Sequence, residues 1–136
     1  MTKHNDAMLT VTSLLSILLL SIHVTDDIVR GFDKWGFEKL SFVLILVVWL
    51  YGTLRLAERR SGHVIMLLGG LLAAVMPAIH MRGTGAFVRS GGAFFFIWTL
   101  FALGAIGTLT VLLAARGLRR GNIMTAVANE NPDRRG

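Results

Sequence analysis

The sequence predicts an all-α, polytopic membrane protein with four transmembrane helices in a bundle. Three observations predict it. Four long apolar runs take up most of the 136 residues. Only 16% of residues are charged, against roughly a quarter in ordinary globular domains. Those charges gather between the runs, leaving long stretches with nothing to face water. A composition of 54% hydrophobic residues and a mean hydropathy of +0.64 agree with this class.

The first run spans residues 7–25, long enough to cross a hydrocarbon core of about 30 Å. A cleaved signal peptide is the competing reading. Its apolar region is shorter and ends in a small-x-small site, whereas His23-Val24-Thr25-Asp26-Asp27 follows here. The run is therefore read as a retained helix. Thr12, Ser16, His23, Asp27 and Arg30 recur at helical spacing and form a polar stripe, with Asp26 beside it. A stripe of hydroxyls and charges turns toward protein rather than lipid.

The second run covers 40–56 and is rich in Val, Ile and Leu. It reads as lipid-facing, with Trp49 and Tyr51 suited to the far interface. A short basic connection follows, in which Ser61 or Gly62 can cap the next helix. The third run, 64–81, carries Gly69, Gly70, Ala73 and Ala74 at small-xxx-small spacing, which lets helix backbones approach closely. His80 follows on the same side, just after Pro77, which is expected to bend the helix. The glycine-rich stretch 82–92 reads as a connector. The Gly83-Thr84-Gly85 triplet is no phosphate loop, since no strand precedes it.

The fourth run, 93–115, starts with Phe94, Phe95, Phe96 and Trp98 and offers a notch at Gly104, Gly107 and Thr108. Arg116, Arg119 and Arg120 are expected to stop it. This divides the chain into a transmembrane domain, 1–120, and a polar, mobile cytoplasmic tail, 121–136. The tail contains Pro132 and has no core to join.

The net charge of +6 raises the question of nucleic acid. The arginines instead sit at run ends, where they set orientation and meet anionic headgroups, and no basic face with interleaved aromatics exists. Nucleic acid is excluded as a partner, and the lipid bilayer takes its place. The chain has no cysteine, so disulfides, thiolate metal sites and cysteine nucleophiles are excluded.

In a four-span chain the N-terminus, the middle connection and the tail share one side. That side holds nine basic residues: Lys3, Arg55, Arg59, Arg60, Arg116, Arg119, Arg120, Arg134 and Arg135. The other holds five: Arg30, Lys34, Lys39, Arg82 and Arg89. The asymmetry places both termini in the cytoplasm. The first and third helices then end on the outer side. His23, Asp26, Asp27 and His80 become a candidate cluster there, while His63 falls on the cytoplasmic side as a headgroup-level residue.

Two imidazoles with one or two carboxylates suit a divalent metal such as zinc, iron or manganese, or a proton relay. Haem ligation by His23 and His80 is a less favoured use, although Arg30 and Arg82 would meet the propionates. No catalytic motif is present, neither a serine–base arrangement nor HExxH, so the chain is not read as an enzyme. The function expected is binding or transport of a cation or protons by a small membrane protein with an outer-face His/Asp site. The alternative is an accessory or scaffold subunit whose polar cluster is only structural. Four short helices enclose little volume, so a homo-oligomer or a membrane partner is expected in either case.

Overall fold

The computed structural model describes residues 2–29, 37–81 and 93–130. They form α1 (Thr2–Val29), α2 (Phe37–Arg55), α3 (Arg60–Met81) and α4 (Ala93–Glu130). The four helices match the four apolar runs in order. Three contain stretches long and apolar enough to cross a membrane: His4–Asp26, Arg60–Ile79 and Phe96–Ile123. In α2 the apolar stretch is shorter, Leu40–Arg55.

The most extensive contact is between α3 and α4, followed by that between α1 and α4. α2 leans on α3 and α1 and hardly touches α4. Small residues explain the first of these contacts. A Cβ added at Gly107 would lie 2.7 Å from the Cβ of Ala73 and 2.9 Å from the carbonyl oxygen of Gly70. The α4 backbone therefore runs directly over the Gly70–Ala74 stretch, where close approach maximises dispersion contacts. One turn further, Gly104 receives the ring of Pro77, whose Cγ is 2.6 Å from an added Cβ. α3 continues through Pro77 to Met81.

Gly69 does something different from Gly70. It faces α2, and the indole of Trp49 fills the space where its Cβ would stand. Trp49 is 1% exposed and belongs to a core group with Ile17, Leu20, Ala73 and Leu103. This corrects its expected place at an interface. Much of α2 is outward-facing, with Val43, Leu44, Val47, Val48 and Tyr51 exposed, while Phe42, Leu46 and Thr53 turn inward. Gly52 is a further notch, filled by Ile65 of α3.

The turn between α2 and α3 is tight. Arg59 N–H donates to the Leu56 carbonyl at 2.8 Å, and His63 N–H donates to the Arg59 carbonyl at 3.2 Å. α3 thus begins at Arg60, ahead of the cap expected at Ser61 or Gly62. Gly62 is instead needed because the Leu56 carbonyl lies where its Cβ would be. At the other end of the chain, α4 passes Arg116, Arg119 and Arg120 without a break and runs to Glu130. The arginines end the apolar character of the helix. They do not end the helix itself, because arginine is a good helix former and no proline intervenes before Pro132.

Candidate functional site

The polar stripe of α1 turns inward. Thr12, Ser13, Ser16 and His23 are buried, while Val11, Leu15, Leu18 and Ile22 on the opposite face are exposed. The inward hydroxyls meet partners on two other helices. Trp49 Nε1 donates to Ser13 Oγ at 2.8 Å. Ser13 Oγ lies 2.7 Å from Thr53 Oγ1. Thr53 Oγ1 in turn donates to the Trp49 carbonyl at 2.9 Å.

Each hydroxyl has one proton, so the directions follow. Thr53 spends its proton on the carbonyl, and Ser13 must therefore donate to Thr53. The result is a closed circuit from indole to serine to threonine to the backbone of the same tryptophan. Ser16 and Thr110 approach at 3.4 Å. Each also donates to its own helix, Ser16 to Thr12 O and Thr110 to Ile106 O, both at 2.9 Å. Their contact across the helices competes with those local bonds and is the weaker link.

The predicted outer-face cluster lies at the other end of α1. His23 is 1% exposed, and its ring packs on Phe96 of α4 with centroids 4.5 Å apart. Asp26 is half-buried and lines a shallow groove with Ile22, Thr25 and Val29. Asp27 falls in the last turn of α1 and His80 in the last turn of α3, but the side chains of both lie outside the described residues. Trp49 touches both Ser13 and Gly69. His23 is ten residues beyond Ser13, and His80 is eleven beyond Gly69. At 1.5 Å per residue their backbones reach similar heights. Among the described residues no three His, Asp or Glu side chains form a metal-holding group.

The residue that the sequence reading set aside is the better placed. His63 is buried among the helices. Its ring fills the notch at Gly117 of α4, where a Cβ would overlap it. It lines a cleft of about 300 Å³ with Asp6, Glu58, Arg116 and Arg120. Only the notch signals this from sequence, since a glycine in the middle of a basic helix segment needs a packing reason.

Comparison with protein families, curated proteins and solved structures finds no match to this chain.

Proposed function

We propose that this chain is a non-enzymatic integral membrane protein, with four helices crossing the bilayer and both termini in the cytoplasm. In this reading it acts as an accessory or scaffold subunit. One observation carries it: α1 exposes an apolar face and buries its polar stripe beside Leu9, Ile17 and Leu20. Its exposed face is Val11, Leu15, Leu18 and Ile22, and its buried face contains Ser13, Ser16 and His23. A helix in water buries the apolar side, so the surroundings that suit this one are hydrocarbon. The buried hydroxyls are spent on hydrogen bonds, Ser13 to α2 and Thr12 and Ser16 to the backbone of α1, which is what a structural stripe requires.

The apolar surface of α2 supports the accessory role. Leu44, Ile45 and Val48 border a groove of about 310 Å³ that continues onto Leu68 and Leu72 of α3. Lipid, a partner helix or a second copy would cover it. The absence of cysteine makes the test direct. Single cysteines at Leu15 or Leu18 should resist a membrane-impermeant maleimide in intact membranes and react after denaturation. Cross-linkers placed at Val47 or Val48 should capture a defined protein neighbour. Free labelling at Leu15 and Leu18 would remove the bilayer reading, and no neighbour at α2 would remove the accessory one.

Cation or proton handling by His23, Asp26, Asp27 and His80 is the second reading. It is favoured by the similar heights of His23 and His80, and its test is bound metal or proton-coupled flux in wild-type protein.

A further inference from the structure

The cleft beside His63 is built by three helices and a turn. Asp6 and Leu9 come from α1, Glu58 from the α2–α3 turn, His63 from α3, and Leu113, Arg116 and Arg120 from α4. Its charges are balanced. Arg116 and Arg120, four residues apart, share one face of α4. Asp6 and Glu58 supply two carboxylates from other elements.

His63 adds an independent observation. The residue is 9% exposed. Its Nδ1 lies 3.0 Å from the Arg59 carbonyl oxygen. A carbonyl only accepts, so in the neutral ring Nδ1 carries the hydrogen and Nε2 is left as an acceptor. Nε2 faces Asp6 Oδ1 at 4.0 Å, too long for a direct hydrogen bond. Two acceptors therefore face each other across a gap that suits a cationic donor. A proton on Nε2 would answer Asp6 but would leave Glu58, both arginines and the volume of the cleft unmatched. A metal has no three-ligand group among the described residues.

We propose that this cleft holds the phosphoethanolamine headgroup of an aminophospholipid. The ammonium, with three N–H donors and no acceptor, is received by Asp6, Glu58 and Nε2 of His63. The phosphate is received by Arg116 and Arg120, whose guanidinium groups match its oxygens. Leu9 and Leu113 are buried and close the apolar floor of the cleft, so the glycerol and acyl chains leave over its open rim toward the hydrocarbon. A choline headgroup carries the charge but has no N–H to give. A glycerol headgroup brings an anion without a cation and sets its phosphate near two carboxylates. The cleft therefore selects ethanolamine over both. This assignment rests on the bilayer reading above.

The test uses the full-length protein in nanodiscs of phosphatidylethanolamine, phosphatidylcholine and phosphatidylglycerol in equal parts. Lipids retained on the protein are then read by native mass spectrometry. Ethanolamine lipid should be retained roughly tenfold over the other two, the scale of one or two charge-assisted hydrogen bonds. Asp6→Asn with Glu58→Gln should erase the preference for ethanolamine over choline. Arg116→Gln with Arg120→Gln should reduce retention of both. Glu58, Arg116 and Arg120 are exposed and Asp6 is partly so, so the variants, checked for unchanged thermal unfolding, test binding and not folding.

Equal retention of ethanolamine and choline lipids would overturn the assignment. So would a salt-sensitive preference for glycerol lipid, which a simple basic rim produces. Soluble phosphoethanolamine at matched concentration should not displace the lipid; if it does, the free headgroup is the ligand and the lipid assignment falls. Failure to enter nanodiscs would defeat the bilayer reading together with this one, whereas entry without a preference defeats the cleft alone.

Discussion

The indole of Trp49 donates to Ser13 Oγ at 2.8 Å, and this bond ties α2 to α1 near the middle of its apolar stretch. The same indole rests on the bare backbone of Gly69, so one side chain joins three helices. α2 has few other anchors, since it hardly touches α4. Trp49, with the Ser13–Thr53 bond and the Gly52 notch filled by Ile65, sets the register of the least-attached helix.

The hydrogen-bond circuit should behave as a unit. Ser13→Ala leaves the Trp49 N–H without its acceptor and Thr53 without its donor. Each of Ser13→Ala and Thr53→Val should lower stability by about 0.5–2 kcal/mol, the range measured for hydrogen bonds between membrane helices. The double variant should cost clearly less than the sum, because either change breaks the same closed path. Unfolding in detergent with increasing sodium dodecyl sulfate reads both quantities. Strictly additive losses would show that the three groups act separately.

The glycine notches make a graded prediction. Gly107→Val must displace Ala73 and the Gly70 backbone, and Gly69→Val must displace the Trp49 indole. Overpacking of this kind costs about 1–3 kcal/mol. Gly70→Leu and Ala74→Leu should also weaken the contact between α3 and α4. Gly121→Ala meets open space, and Val47→Leu adds to an exposed face; both should be nearly silent. Thermal unfolding of the six variants in one detergent checks the order, and equal tolerance throughout would mean that the notches are not contacts.

These notches show how far the sequence could be read. Small-xxx-small spacing pointed correctly to α3 against α4, because backbone approach needs only the absence of side chains. It did not reveal that Gly69 and Gly70, neighbours in the chain, serve different partners. Adjacent helix positions differ by about 100° in direction, and which helix stands in each direction is a tertiary fact. Trp49 was misread for a related reason. Tryptophan prefers interfaces when its N–H needs water, and nothing local announced a serine forty residues before Thr53. Ser13, three residues before Ser16 on the same stripe, was legible and passed over. At the outer-face cluster, the inward turn of His23 was foreseeable from the stripe. Its packing on Phe96 was not, because that depends on how α1 and α4 lie together.

Orientation rests on the arginine asymmetry and is tested by fusions. A reporter joined after Arg120 should signal cytoplasm, and one inserted between Arg82 and Gly92 should signal the outer side. The opposite result would place the His63 cleft outside, where the lipids presented to it would come from the outer leaflet.

The last prediction separates the two readings of the α1 stripe. Its inner part is occupied by hydrogen bonds to α2 and α4, and His23 packs on Phe96, so the scaffold reading treats the stripe as a packing device. Wild-type protein should then carry no stoichiometric zinc, iron or manganese by elemental analysis and show no Soret band. His23→Ala should act on stability, because it opens a space beside Phe96 where a buried ring had been. Removing a large buried aromatic side chain costs roughly 2–5 kcal/mol. Asp26→Asn, at a half-buried position beside a shallow groove, should cost little. The cation reading expects another pattern. His23→Ala, Asp26→Asn, Asp27→Asn and His80→Ala would each reduce metal binding or proton-coupled flux, with losses that do not add because ligands act together. Metal binding would also weaken as pH falls, since imidazole and carboxylate ligands must be deprotonated. Stoichiometric metal in wild-type protein, lost in all four variants while the fold is kept, would overturn the scaffold assignment.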